Sequence, residues 1–172
     1  MSLPPAGRFS IEQAEQRLWL RKILVPVDFS AGTTVALQYA GSLAREFHAT
    51  VVLLHVVQLN IADEERGVPR MSFLNDMQRA GERQLQQLAD LVCGPETDSN
   101  VEVREGRPHE EIVAAARELS ADLIIMASHS NAGLLRLLRR RTVERVIRDA
   151  PCPVLALRAS QQRYVLQFAA IA

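Results

Sequence analysis

Three groups of residues in this sequence have the types and spacing that chemistry needs. Asp28 follows a short apolar run, Ile23-Leu24-Val25-Pro26-Val27, and precedes a helical pattern. A carboxylate at such a junction accepts hydrogen bonds from a ribose hydroxyl or a base amine, and it serves equally well to cap the turn. The second group is the polar loop Ser128-His129-Ser130-Asn131-Ala132-Gly133, whose hydroxyls can donate to an anion. The third is Arg136, Arg139, Arg140 and Arg141. Guanidinium forks bind phosphate. The same residues also read as a solvated basic helix face, with Glu144 and Asp149 as partners, or as a contact for another macromolecule.

Catalysis finds less support. Ser128, His129 and Asp28 can be drawn as a nucleophilic triad, but no G-x-S-x-G elbow accompanies them. His55, His109 and His129 all fall near expected strand ends. Zinc, however, needs three or four ligands with supporting hydrogen bonds, and the spacing supplies no such set. Neither GxxxxGK[ST] nor GxGxxG occurs. The expectation is a protein without an assigned catalytic residue or metal ligand.

Composition narrows the class. The chain has 172 residues, 48% hydrophobic and 23% charged, which is one domain of ordinary globular type. Net charge is zero, from 20 basic and 20 acidic residues, so a global field for nucleic acid is excluded. Zero is a cancellation, however. Residues 1–135 carry 12 basic and 18 acidic groups, and residues 136–172 carry 8 basic and 2 acidic. Cys93 and Cys152 form no C-x-x-C pair and read as thiols in a reducing compartment. No apolar run reaches membrane-spanning length, and Met1 to Arg8 lacks the order of a signal peptide. The expected location is the cytoplasm.

The elements that must position these residues follow from hydrophobic periodicity. Residues 23–27, 50–57 and 123–126 are continuous apolar runs, as strands buried on both faces require. Val101-Glu102-Val103-Arg104 alternates like an edge strand. Val154-Leu155-Ala156-Leu157, after Pro151-Cys152-Pro153, is the fifth strand. Helical spacing runs through Ala36, Ala40, Leu43, Ala44 and Phe47; through Met77, Leu85, Leu88 and Val92; and through Ile112, Val113, Ala116 and Leu119. Strands alternating with helices imply a parallel sheet covered on both faces. In such a sheet a ligand binds at the C-terminal strand ends, at the switch point of strand order.

Four stretches now align with a known pattern: KILVPVDFS, TVVLLHVV, ADLIIMASHS and VERVIRDAPCPVLALR. In this order and spacing the chain resembles the universal stress proteins of the A type, from about Lys22 to Arg158. The resemblance implies an α/β fold with an open, mostly parallel, Rossmann-like sheet of five strands in order 3-2-1-4-5. It also implies a homodimer formed by pairing the last strands, here Val154, Leu155, Ala156 and Leu157. Residues 1–21 and 159–172 are then extensions. Ile11 to Leu20 reads as a short helix. In the tail Tyr164, Val165, Leu166 and Phe168 are apolar enough to pack on a partner or on the body.

Members of that family that bind ATP carry G-x-x-G-x9-G-[ST] after the fourth strand. The alignment puts Ala127, Ser130 and Arg140 at the glycines and Arg141 at the hydroxyl. The first-loop carboxylate is kept as Asp28 and the adenine-flanking valine as Val56. The nucleotide site implied is Pro26, Val27, Asp28 and Val56 on the base side. On the phosphate side it is Ala127, His129, Ser130, Arg140, Arg141 and Thr142. Glycine lets backbone N–H groups approach phosphate closely, and arginine does not. Thr142 stands one position late for the lost capping hydroxyl. Leu134 to Asp149 is free of Gly and Pro, so a helix is expected to replace part of the cradle. The expected function is a stress-response homodimer acting through protein contacts with weak or no ATP binding. The alternative is a nucleotide regulator that holds ATP, with magnesium, through arginines.

Overall fold

The computed structural model describes residues 20–58, 70–92, 94, 96–128 and 134–158, with the backbone alone at 70–73, 128, 134–140 and 158. The expected N-terminal helix, the tail, His129 and Ser130 lie outside the described residues. The order is β1 (Lys22–Val27), α1 (Ala31–Phe47), β2 (Thr50–Val57), α2 (Arg70–Val92), β3 (Ser99–Glu105), α3 (Pro108–Glu118), β4 (Leu123–Ser128), α4 (Leu134–Asp149) and β5 (Val154–Arg158). The five strands form one parallel sheet in the order β3-β2-β1-β4-β5, as expected.

Alternation along each strand divides the core. Ile23, Val25, Val27, Val51, Leu53 and Ile125 face α1 and α2, where Ala36, Leu37, Ala40, Leu85 and Ala89 cover them. Leu24, Val52, Leu54, Ile124 and Met126 face the other way and are covered by Ile112, Val113 and Ala116 of α3 and Val143 and Val146 of α4. Strands buried on both faces need apolar residues at every position, which is why these runs do not alternate in sequence.

Two polar arrangements fix the layers. Asp122 Oδ2 accepts the backbone N–H groups of Arg21 (2.8 Å) and Lys22 (2.9 Å), which ties the start of β4 to the start of β1. Lys22 Nζ donates to the Leu119 carbonyl at 2.9 Å. On edge strand β3, Arg104 pairs with Glu102 and Glu118, each at 2.7 Å, and lies 3.9 Å from Glu111. Burial opposes its charge, but hydrogen bonds to Glu118 and Glu102 outweigh burial and raise its pKa. Glu111 and Glu118 belong to α3, so this cluster anchors α3 to the sheet edge.

α2 is longer than the sheet is tall. Its 23 residues span about 34 Å, against roughly 26 Å for the strand length of β2. Gly81 packs against Val103 and His55, near the C-terminal ends of β3 and β2. The turns before Gly81 therefore project past the strand ends, and Asn75 to Arg79 are exposed. Periodicity accordingly becomes visible only from Met77.

Candidate functional site

β1 and β4 part company at their C-terminal ends. β1 pairs with β2 over its whole length, to Val27↔His55. Its ladder with β4 holds only Ile23↔Leu123 and Leu24↔Ile124. Pro26 has no N–H to continue a ladder. β4 meanwhile stays with β5 as far as Ser128↔Arg158. The crevice thus opens between β1 and β4, the two strands at which the order reverses.

A cleft of about 380 Å³ occupies this crevice, within the range of small-molecule sites. Pro26, Val27 and Asp28 come from the end of β1; Leu54, His55, Val56, Val57 and Gln58 from β2; Met126 and Ala127 from β4. Thr33 of α1, Met77 of α2, Pro108 and Ile112 of α3, and Thr142 and Val143 of α4 complete the described lining.

Asp28 is held by the turn it begins. Its Oδ1 accepts from the Ser30 N–H at 3.0 Å, from the Ser30 hydroxyl, and from the Thr33 hydroxyl at 2.8 Å. Thr33 Oγ1 also accepts from the Asp28 N–H at 3.3 Å. Ser30 occupies the N-cap of α1, but its side chain makes no capping bond to the helix. It serves Asp28 instead. The carboxylate therefore orders the turn and also lines the cleft.

Phe29, between them, takes φ 56°, a left-handed conformation uncommon for a bulky residue. Its ring lies 4.6 Å from that of His55, tilted by 51°. His55 Nδ1 lies 2.8 Å from the Val27 carbonyl. A carbonyl only accepts, so Nδ1 carries the proton. His55 sits under α2, whereas His109 lies between α3 and α4 on the other face, 3.4 Å from Arg145 Nη1. The two do not converge. Among the described residues no cluster of His, Cys, Asp and Glu is arranged to hold a metal ion.

Of the residues implied by the resemblance, Pro26, Val27, Asp28, Val56, Ala127 and Thr142 meet in this cleft. Arg141 is exposed and does not belong to its described lining. Arg140 lies in α4, its side chain outside the described residues. α4 runs as helix from Leu134 to Asp149, as the lack of glycine led us to expect. Thr142 and Val143 meet the cleft from inside that helix, where backbone N–H groups are already bonded one turn back. At Thr142 and Val143, then, α4 has no backbone N–H free for an anion, and Leu54, Val56, Ile112 and Met126 make much of the rest of the described lining apolar.

The residues implied by the resemblance do not include the α3 wall, Pro108 and Ile112, although Ile112 falls on the helical spacing of that stretch. Gly106 sets both. Its N–H donates to the Val57 carbonyl at 3.1 Å, its φ is +150°, and an added Cβ would come within 2.7 Å of Glu111 Oε1. A glycine ahead of Pro108 was the available signal.

Known proteins match this chain over the same span. The model of the universal stress protein family matches residues 20–158. Universal stress protein MJ0531 of Methanocaldococcus jannaschii is 30% identical over 139 residues, covering 80% of this chain and 82% of its own. The structure of MJ0577, from the same organism, is 26% identical with a TM-score of 0.69, covering 85% of this chain and 99% of its own. A universal stress protein of Archaeoglobus fulgidus, in complex with dAMP, shares the fold at 18% identity and a TM-score of 0.56, covering 80% of this chain and 98% of its own.

Proposed function

Because the chain belongs to the universal stress protein family, we propose that it acts as a stress-response homodimer through protein contacts, with weak or no ATP binding. The observation that carries this reading is α4, helical straight through Arg140 and Arg141. Those positions align with the third glycine and the hydroxyl of the ATP signature. A helix interior offers no N–H groups to phosphate, unlike a glycine loop or a helix N-terminus. We place the protein in the cytoplasm; no described helix is long and apolar enough to cross a membrane.

The dimer contact we assign to β5. It lies at the edge of the described sheet, with β4 on one side. Val154, Leu155 and Leu157 are half-buried and Ala156 is exposed. A short edge strand of this composition is a template for pairing with its own copy. Light scattering tests it: the unmodified chain should weigh as a dimer and Leu155→Asp as a monomer. A monomeric unmodified chain overturns the dimer.

The second reading is a nucleotide regulator that holds phosphate through arginines. What favours it is the base side of the cleft, where Asp28 and Val56 are kept, together with the dAMP bound by the Archaeoglobus relative. Saturable binding of ATP with magnesium, lost in Arg140→Ala and Arg141→Ala, would establish it in place of the first.

A further inference from the structure

Besides the cleft, the side of the sheet covered by α1 and α2 carries a groove of about 330 Å³. We propose that residues 11–19 of the same chain dock in this groove as a short amphipathic helix that leads into Leu20 and β1.

The groove suits an apolar occupant. Phe29, Leu88 and Leu91 line it together with Thr34, Gln84 and Gln87, and its described lining carries no charged side chain. Leu91 is 79% exposed and Phe29 38%, so both gain when apolar groups cover them.

Position selects that occupant. Leu20 is buried in the core cluster that holds Leu85 and Ala89 of α2, and Leu88 packs against the same cluster. Residues 1–19 therefore join the described fold on this side of the sheet. α2 connects the end of β2 to the start of β3, a parallel neighbour, so it runs against the strand direction. Gly81 touches His55, which pairs with Val27 at the end of β1. Leu91 lies about 15 Å further along α2, roughly level with Lys22, where β1 begins. One end of the groove thus stands beside the point at which residues 1–19 enter. The C-terminal tail, by contrast, leaves from β5, which β4 separates from β1.

The segment has the matching pattern. Ile11, Ala14 and Leu18 fall on one helical face, with Glu12, Gln13 and Gln16 on the other. Ile11 to Leu18 spans about 10 Å of helix, as does Gln84 to Leu91. A helix running into Leu20 lies parallel to α2, which sets Leu18 beside Leu91 and Ile11 beside Gln84. So short a helix does not persist alone in water, and the groove supplies the packing that orders it.

Cross-linking in the full chain tests this. In a Cys93→Ser, Cys152→Ser background, a short bis-maleimide should join Leu18→Cys to Leu91→Cys within one chain, at a yield independent of dilution. The pair Ile11→Cys and Leu91→Cys, about 10 Å further apart, should join far less. Leu18→Gln and Leu91→Gln should each lower the melting temperature by roughly 2–4 °C, and the double variant no further than either alone. Equal yields from the two cysteine pairs overturn the docking. Links between chains that grow with concentration overturn it in favour of a second copy in the groove. A fall in melting temperature for Leu91→Gln without the Leu18–Leu91 link gives the groove to another occupant and overturns it too. An unchanged melting temperature in Leu91→Gln, as at an uncovered surface position, overturns it outright.

Discussion

Thr33 Oγ1 donates to Asp28 Oδ1 at 2.8 Å, joining the first turn of α1 to the end of β1. Thr33 is buried at 2% exposure and also receives the Asp28 N–H. The pair sets the rim of the cleft. Thr33→Val keeps the shape and removes both bonds. It should cost about 1 kcal/mol, read as a fall of roughly 2–4 °C in melting temperature. Thr33→Ser should recover most of it. An unchanged melting temperature in Thr33→Val would show that the turn stands without this pair.

Pro26 is the second site of prediction. β1 leaves β4 just before it, and the cleft begins there. Pro26→Val restores an N–H, and the β1–β4 ladder can then extend and narrow the crevice. The variant should melt no lower than the unmodified protein, and amide hydrogen exchange at the ends of β1 and β4 should slow. Unchanged exchange there would mean that the proline does not hold the two strands apart.

Gly106→Ala forces a Cβ onto Glu111 at a positive φ. The strain is about 1–3 kcal/mol. It falls on the turn that sets Pro108 and Ile112, so melting temperature and ligand affinity should drop together. A variant that melts like the unmodified protein would show that the α3 turn yields freely.

Burial, and then the negative charge of Asp122, push the Cys152 thiol up from its ordinary value. The native state therefore disfavours the thiolate. This group's stabilising contribution is present below the unfolded thiol pKa and is lost as pH rises through the thiol range. In a Cys93→Ser background, alkylation at about pH 8 should run far slower in native protein than in denaturant. Equal rates would show an unshifted, accessible thiol.

Much of this was legible in sequence because strand burial leaves a local mark. Ile23 to Val27 and Leu123 to Met126 are apolar at every position, and a central parallel strand must be. The helix over Leu134 to Asp149 was legible from missing glycine and proline. Strand order came from the resemblance, since no local pattern says that β1 lies between β2 and β4. The cleft was half legible. Asp28 and Val56 lie at strand ends, where a parallel sheet puts ligands. Pro108 and Ile112 reach the same cleft only because α3 crosses back over the sheet. The effect of Pro26 on the β1–β4 ladder depends on which strand is the neighbour, which no local pattern tells. Ser30 stands at the N-cap of α1, yet its hydroxyl goes to Asp28, a competition that sequence position alone does not decide.

If the helix through Arg140 and Arg141 stands where ATP-binding relatives keep a glycine cradle, ATP itself is the deciding ligand. The melting temperature of the full chain should be compared with and without millimolar ATP and magnesium. The shift should be no more than about one degree. A rise of several degrees, matching the roughly 2.7 kcal/mol that a ligand supplies at a hundred times its Kd, would contradict it.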